Sequence, residues 1–216
     1  MSDKQQRVIK ELVSSYGRTY AEEAGIRLKN TPQPLYRTLV LALLLSARIR
    51  ASTALAAARA LYDAGMRDPR RMAAATWQQR VDALGRGGYR RYDERTATQL
   101  GDGAELLTER CGGDLRRLRE EADGDVAQLR GLLQEVPGIG PAGANIFLRE
   151  AQSVWPEAAP YIDSKALDGA RRLDLPDEPD QLVKIAGSTE PARLAAALVR
   201  AALDKEVVEQ VLGKAG

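Results

Sequence analysis

Apolar positions along the chain recur at helical intervals and seldom show the strict alternation of a half-buried strand. Over residues 4–16, Val8, Leu12 and Val13 form one stripe of an amphipathic helix. Asn30-Thr-Pro-Gln-Pro34 breaks the chain and sets up a new helix start. Leu35 to Ala47 is apolar almost throughout, interrupted by Arg37, which is the pattern of a helix buried in the middle of a domain. Further helices are predicted over 52–64, 68–74, 76–84 and 91–110, punctuated by Ala64-Gly65, Asp68-Pro69 and Gly85-Arg-Gly-Gly88. Connections this short suit a compact bundle.

Cys111-Gly-Gly113 ends the long helix, and an acidic region leads to a helix over 125–135. Pro141 suits the first turn of the next helix, where a missing N–H costs nothing, and that helix should reach 151. Residues 153–160 read as a loop, Ile162-Asp163-Ser164-Lys165 opens another helix, and Pro176-Asp-Glu-Pro179 separates the last two, at 179–186 and 190–212. The alanine-rich runs Ala54 to Ala60 and Leu194 to Leu203 favour helix, because alanine loses no side-chain entropy there. The predicted fold class is all-α.

Composition narrows the chemistry. The 216 residues are 44% apolar but only 5% aromatic, so the core must be built from Leu, Ala and Val. There is no histidine and one cysteine, Cys111, which excludes an internal disulfide, a four-cysteine metal cluster held by these residues, and histidine proton shuttling. Catalysis would rest on carboxylates, lysine, hydroxyls or backbone groups. The segment MSDKQQRVIKELV has no apolar signal core, and no stretch reaches the roughly 20 apolar residues of a membrane span, so a cytoplasmic location is expected; a monomer is expected as well. Net charge is +2, but its distribution is uneven: residues 1–28 carry five basic and four acidic residues, 29–100 thirteen and five, and 101–216 fourteen and twenty-one. A basic face made by the first half would suit a polyanion, although arginines also simply solubilise helices.

Residues 135–150, EVPGIGPAGANIFLRE, concentrate glycine and proline in PGIGPAG. Gly138 and Gly140 bracket Ile139 between two predicted helices. Glycine there permits positive φ and close approach of another group to the backbone, while the start of the second helix offers unpaired N–H groups. The pattern fits a phosphate grip without a charged side chain. It equally fits an ordinary helix–turn–helix connection with a glycine C-cap.

Val136-Pro-Gly-Ile-Gly-Pro-Ala-Gly-Ala-Asn145 resembles the helix-hairpin-helix motif of the endonuclease III-like DNA glycosylases, and other landmarks follow in the family's order. Leu43-Leu-Leu-Ser-Ala47 is similar to the Leu-Leu-Ser-Ala that ends the family's central helix, Gly87-Gly-Tyr-Arg90 to its Gly-x-Tyr segment, and Ile162-Asp163 to a Val-Asp that opens a helix. The resemblance covers about residues 30–180. It implies two lobes: a six-helix barrel with the hairpin over 30–142, and a second helical lobe from 1–29 with 143–216. It also implies double-stranded DNA containing a damaged base as partner, and excision of that base.

The resemblance assigns roles by position. Asp163 would be the catalytic carboxylate, stabilising the cation-like sugar as the N-glycosidic bond breaks and orienting water; aspartate is also a preferred helix cap, and both roles can coexist. Gly138, Ile139, Gly140, Ala142 and Gly143 would hold the DNA backbone, with Lys165 a further phosphate contact. The hairpin lysine that bifunctional members use for Schiff-base chemistry is here Ala142, which implies a monofunctional, water-using enzyme. Arg48, with Arg50 two residues on, would fill the gap left by a flipped base or contact phosphate. Tyr36, Tyr89 and Tyr161 are candidate stacking faces of the base pocket, although tyrosine at helical spacing also serves as core. With only Cys111, the iron–sulfur cluster of many relatives is not expected; the resemblance suggests a Na+ or K+ ion at the hairpin carbonyls, which the sequence itself does not decide. An alkylated purine would suit a protein lacking histidine, since a cationic leaving base needs little acid assistance. A non-catalytic binder of damaged or abasic DNA, and a helical adaptor for proteins, are the other readings.

Overall fold

The computed structural model describes residues 3–215, and among them every regular element is helical. In chain order these are α1 (Asp3–Tyr16), α2 (Tyr20–Glu23), α3 (Pro32–Leu45), α4 (Ala51–Asp63), α5 (Pro69–Ala74), α6 (Trp77–Arg86), α7 (Asp93–Cys111), α8 (Arg116–Glu121), α9 (Val126–Gln134), α10 (Pro141–Ala151), α11 (Ser164–Arg172), α12 (Pro179–Ala186), α13 (Pro191–Leu203) and α14 (Lys205–Ala215). A 3-10 turn spans Pro156–Ala158. Local chemistry sets the starts. Asp68 accepts from the Arg71 amide at 3.0 Å, Asp125 from the Ala127 and Gln128 amides, and Thr76 and Gln79 form a reciprocal capping box.

Contacts divide the chain into two compact units, Ala21–Glu157 and Met1–Tyr20 with Ala158–Gly216. These bounds differ from 30–142 and from 1–29 with 143–216, for identifiable reasons. Helix α10 packs on α3 and α9, and the buried carboxylate of Glu150 accepts from the Ala21 amide at 2.9 Å. Residues 21–29 and 143–157 therefore belong with the larger unit.

In that larger unit α3 is the central helix: nine of its fourteen residues are buried. Helices α4 and α10 pack on it, and α5 and α6 pack on α7. The scarcity of aromatics allows close crossings. A Cβ at Gly87 would stand 2.3 Å from the Ala57 Cα, and one at Gly101 would stand 2.6 Å from the Arg80 guanidinium. The buried Arg80 guanidinium donates to the Met72 and Ala75 carbonyls at the end of α5. Trp155, fully buried, meets Phe147 edge to face and donates to Asn30 Oδ1 at 3.0 Å, fastening the loop before α3.

The smaller unit joins α1 to α11–α14 around Val8, Ile9, Leu12, Leu182, Leu194 and Leu198. Its tightest crossing is α11 on α13, where a Cβ at Gly169 would lie 1.9 Å from the Leu198 carbonyl oxygen. The single helix expected over 190–212 is two. Asp204 adopts an extended backbone (φ −132°, ψ 120°) that stops α13, and its carboxylate accepts from the Glu206 amide to start α14. Helix α8 occupies part of the acidic connection after Cys111; with Leu118 its one buried residue it has no apolar stripe.

The α11–α13 crossing yields a direct test. Gly169→Ala is expected to destabilise the protein by about 3 kcal/mol through overpacking. Gly213→Ala at an exposed position of α14, where a Cβ meets nothing within 4 Å, is expected to add about 0.5–1 kcal/mol. Urea unfolding midpoints measure both; a Gly169→Ala midpoint equal to wild type would refute the crossing.

Candidate functional site

The connection between α9 and α10 is the turn that the glycines announce. Gly138 has φ +86°, the region that glycine tolerates and larger residues avoid. A Cβ there would lie 2.8 Å from Leu43 Cδ1 and 3.1 Å from Gln99 Cβ, so the turn is pressed onto α3 and α7. Ile139 is 3% exposed and packs beneath the turn with Tyr36, Val136 and Leu107, while its amide donates to the Val136 carbonyl at 2.9 Å. Gly140, Pro141 and Ala142 are exposed at the tip, and Gly143 is buried with Ser46 Cβ and Ile139 close to where its own Cβ would be.

The first intrahelical amide bond of α10 is Ala144 N–H to Gly140 O, at 3.0 Å. Pro141 has no N–H, so the amides of Ala142 and Gly143 stand ahead of the helical ladder at its positive end. This turn can accept an anionic oxygen. The carbonyl of Val136 accepts from the Ile139 amide and that of Gly140 from the Ala144 amide. Among the described residues no group of three or more His, Cys, Asp or Glu side chains gathers to hold a metal ion, and no helix is long and apolar enough to cross a membrane.

Beside the turn lies an open pocket of about 400 Å³ whose lining includes Arg48, Tyr89, Tyr92, Arg95, Gln99 and Gly138. Arg48 sits in the bonded turn that follows α3, where Ser46 Oγ donates to the Leu43 carbonyl at 2.7 Å and the Ile49 amide to Ala47. Tyr89 is buried; its hydroxyl shares a 3.2 Å hydrogen bond with Thr96, and burial raises its pKa despite that bond. No carboxylate lines the pocket, and neither Arg48 nor Arg95 has an ion-pair partner among the described residues. Two other depressions hold paired arginines. A depression of about 670 Å³ holds Arg116, bound to Asp114, and Arg119, bound to Glu157; another of about 550 Å³ holds Arg71, 3.5 Å from Asp68.

The sequence-named residues thus separate into groups. Arg48, Tyr89 and Gly138 meet at the pocket, with Ile139, Gly140, Ala142 and Gly143 on the adjoining turn. Tyr36 and Tyr89 are each 2% exposed, so both are core residues without an exposed ring face for stacking; Tyr36 lies under the turn, where burial drives its pKa far up. Arg50 is exposed at the N-cap of α4. Tyr92, Arg95 and Gln99 were not singled out from the sequence, though with Thr96 they recur at i, i+3, i+4 and i+7 along the start of α7.

Asp163, Lys165 and the half-buried Tyr161 belong to the smaller unit. Asp163 is the N-cap of α11: its backbone is extended and Oδ1 accepts from the Ala166 amide at 3.2 Å. Lys165 is exposed and lies 3.4 Å from Asp168, whose carboxylate Arg171 and Lys165 hold below its ordinary pKa.

Comparison with solved structures matches the chain to a trapped endonuclease III–DNA covalent intermediate, an estranged-adenine complex. The TM-score is 0.51 and the identity 18%, over 93% of this chain and 86% of that one. No family model and no curated protein matches. The fold is therefore all-helical and endonuclease III-like.

The cap role of Asp163 is separable from any chemistry. Asparagine caps as well as aspartate, so Asp163→Asn should change unfolding free energy by less than about 0.5 kcal/mol and Asp163→Ala should lower it by about 1 kcal/mol. Equal stability of all three proteins would show that the cap contributes nothing.

Proposed function

We propose that the protein is a monofunctional DNA glycosylase that removes a damaged base from duplex DNA, with Asp163 as the catalytic carboxylate. The observation that carries this reading is the α9–α10 turn: a positive-φ glycine seated on α3 and α7, with the amides of Ala142 and Gly143 at the exposed start of a helix. Such a turn suits a phosphodiester oxygen, and the solved complex matched in fold is one of endonuclease III with DNA.

The chemistry follows from the groups available. The C1′–N bond breaks with its electron pair leaving on the base, and positive charge spreads over C1′ and the ring oxygen. The Asp163 carboxylate stabilises that charge, water adds its oxygen to C1′, and the carboxylate receives the water proton before passing it to solvent. Capping α11 occupies one of the roughly four lone-pair sites of a carboxylate, so cap and catalyst are compatible. A monovalent cation on the hairpin carbonyls would add positive charge beside the bound phosphate.

Ala142 has no amine, and Lys165 is paired with Asp168 on the exposed face of α11. A Schiff base is therefore not expected. An alkylated purine is the preferred substrate, because its positive charge weakens the glycosidic bond without an acid. The second reading is a non-catalytic binder of damaged or abasic DNA; what favours it is that capping α11 already accounts for Asp163.

Base release from duplexes carrying alkylated, oxidised, deaminated or mismatched bases, scored after alkali, tests the choice. Wild type should release at least one base, and Asp163→Asn should lower release by about a thousandfold or more while leaving duplex affinity within a few-fold. Absence of release across the panel with retained affinity selects the binder. Borohydride trapping of a covalent adduct that is lost in Lys165→Ala would overturn the monofunctional assignment.

A further inference from the structure

Three aspartates in the chain are followed directly by glycine: Asp102–Gly103, Asp123–Gly124 and Asp168–Gly169. The first pair lies inside α7 and the last inside α11, so in both the glycine amide belongs to an intrahelical ladder. Both are also packed. A Cβ at Gly103 would meet Val136 Cγ1 at 3.1 Å, and one at Gly169 would meet the Leu198 carbonyl oxygen at 1.9 Å. Lys165 and Arg171 further hold the Asp168 carboxylate.

Asp123–Gly124, in the connection from α8 to α9, differs in each respect. Both residues are exposed at the edge of an open depression of about 670 Å³, and a Cβ on Gly124 would meet nothing within 4 Å. Among the described residues the Gly124 amide has no hydrogen-bond acceptor and the Asp123 carboxyl no partner. Asp123 has φ +45° and Gly124 φ +83°. A left-handed backbone is unfavourable for a residue with a Cβ, so leaving the native turn costs less here than leaving a helix.

We propose that Asp123 is a site of spontaneous isomerisation, closing onto Gly124 as a succinimide and reopening as isoaspartate. The Gly124 nitrogen attacks Cγ of the protonated carboxyl; the N–Cγ bond forms, and the amide proton leaves with the Cγ hydroxyl as water. A second water opens the ring. Breaking the N–Cγ bond returns aspartate, whereas breaking the bond from nitrogen to the Asp123 main-chain carbonyl carbon leaves the chain running through Cβ and Cγ. One water is lost and one regained, and nothing is oxidised or reduced. Glycine favours the attack because no Cβ crowds the approaching nitrogen. Isoaspartate adds one methylene to the main chain just ahead of Asp125, whose carboxylate caps α9. Being exposed, it also presents a free α-carboxylate to a methyltransferase that recognises isoaspartate.

The full chain, held folded for weeks in neutral buffer, is digested under mildly acidic conditions, and isoaspartate is scored in each aspartate–glycine peptide by chromatography and by methyl transfer from a purified isoaspartate methyltransferase. The Asp123 peptide is expected to carry about tenfold or more isoaspartate than either helical pair, which can react only through local opening. The same chain held in urea should form isoaspartate at all three pairs to within a few-fold, since the fold no longer separates them. Asp123→Glu, an exposed change that cannot close the five-membered ring, should remove the signal at this position while the protein stays folded. Similar isoaspartate at all three pairs of the folded chain overturns the inference. So does isoaspartate at Asp123 in urea with none in the folded chain, which would show that the turn protects the pair.

Discussion

The contact of Gly138 with Leu43 and Gln99 is the constraint on which the candidate interface depends. A left-handed backbone and the absence of a Cβ let the α9–α10 turn descend onto α3 and α7. Ile139 and Tyr36 fill the space beneath, so the tip is exposed on a rigid apolar base. The same contact brings three chain segments far apart in sequence to one place: the turn carrying Arg48, the first turns of α7 with Arg95 and Gln99, and the amides that open α10. Were this turn to stand off its neighbours, the pocket would lose a wall and its amide carboxamide its support.

Charge is arranged around that point within one unit. Residues 21–157 carry 20 basic and 18 acidic residues, close to balance. Along α7, Asp93, Glu94 and Arg95 stand together at the start, and the exposed Asp102, Glu105 and Glu109 follow, the last about 21 Å beyond Arg95 at 1.5 Å per residue. Arg110 at the far end pairs with Glu121 and Glu135, while Arg48 and Arg95 have no ion-pair partner among the described residues.

Most of the helical order was legible, because apolar periodicity and proline and glycine punctuation are local signals. Helices α10 and α12 match their expected bounds, and α3 was recognisable from an apolar run with few polar faces. What escaped has local causes as well: α8 is too short and too charged for a stripe, and Asp204 acts as a helix stop through a backbone conformation that its neighbours do not announce. The hairpin was legible from its glycines. The pocket was not, since it depends on which face of α7 turns toward Gly138. That packing places Gln99 and Arg95 there while putting Tyr36, one helix away, into the core.

The seating of the hairpin is most directly tested by the affinity of Gly138→Ala for a duplex with an abasic-site analogue, measured beside its thermal unfolding. Strain at positive φ and the clash with Leu43 should cost about 1–3 kcal/mol, leaving the chain folded at 25 °C. The account predicts a loss of about tenfold or more in affinity for that folded variant. Unchanged affinity would show that the close contact of Gly138 with Leu43 and Gln99 is not what presents the interface.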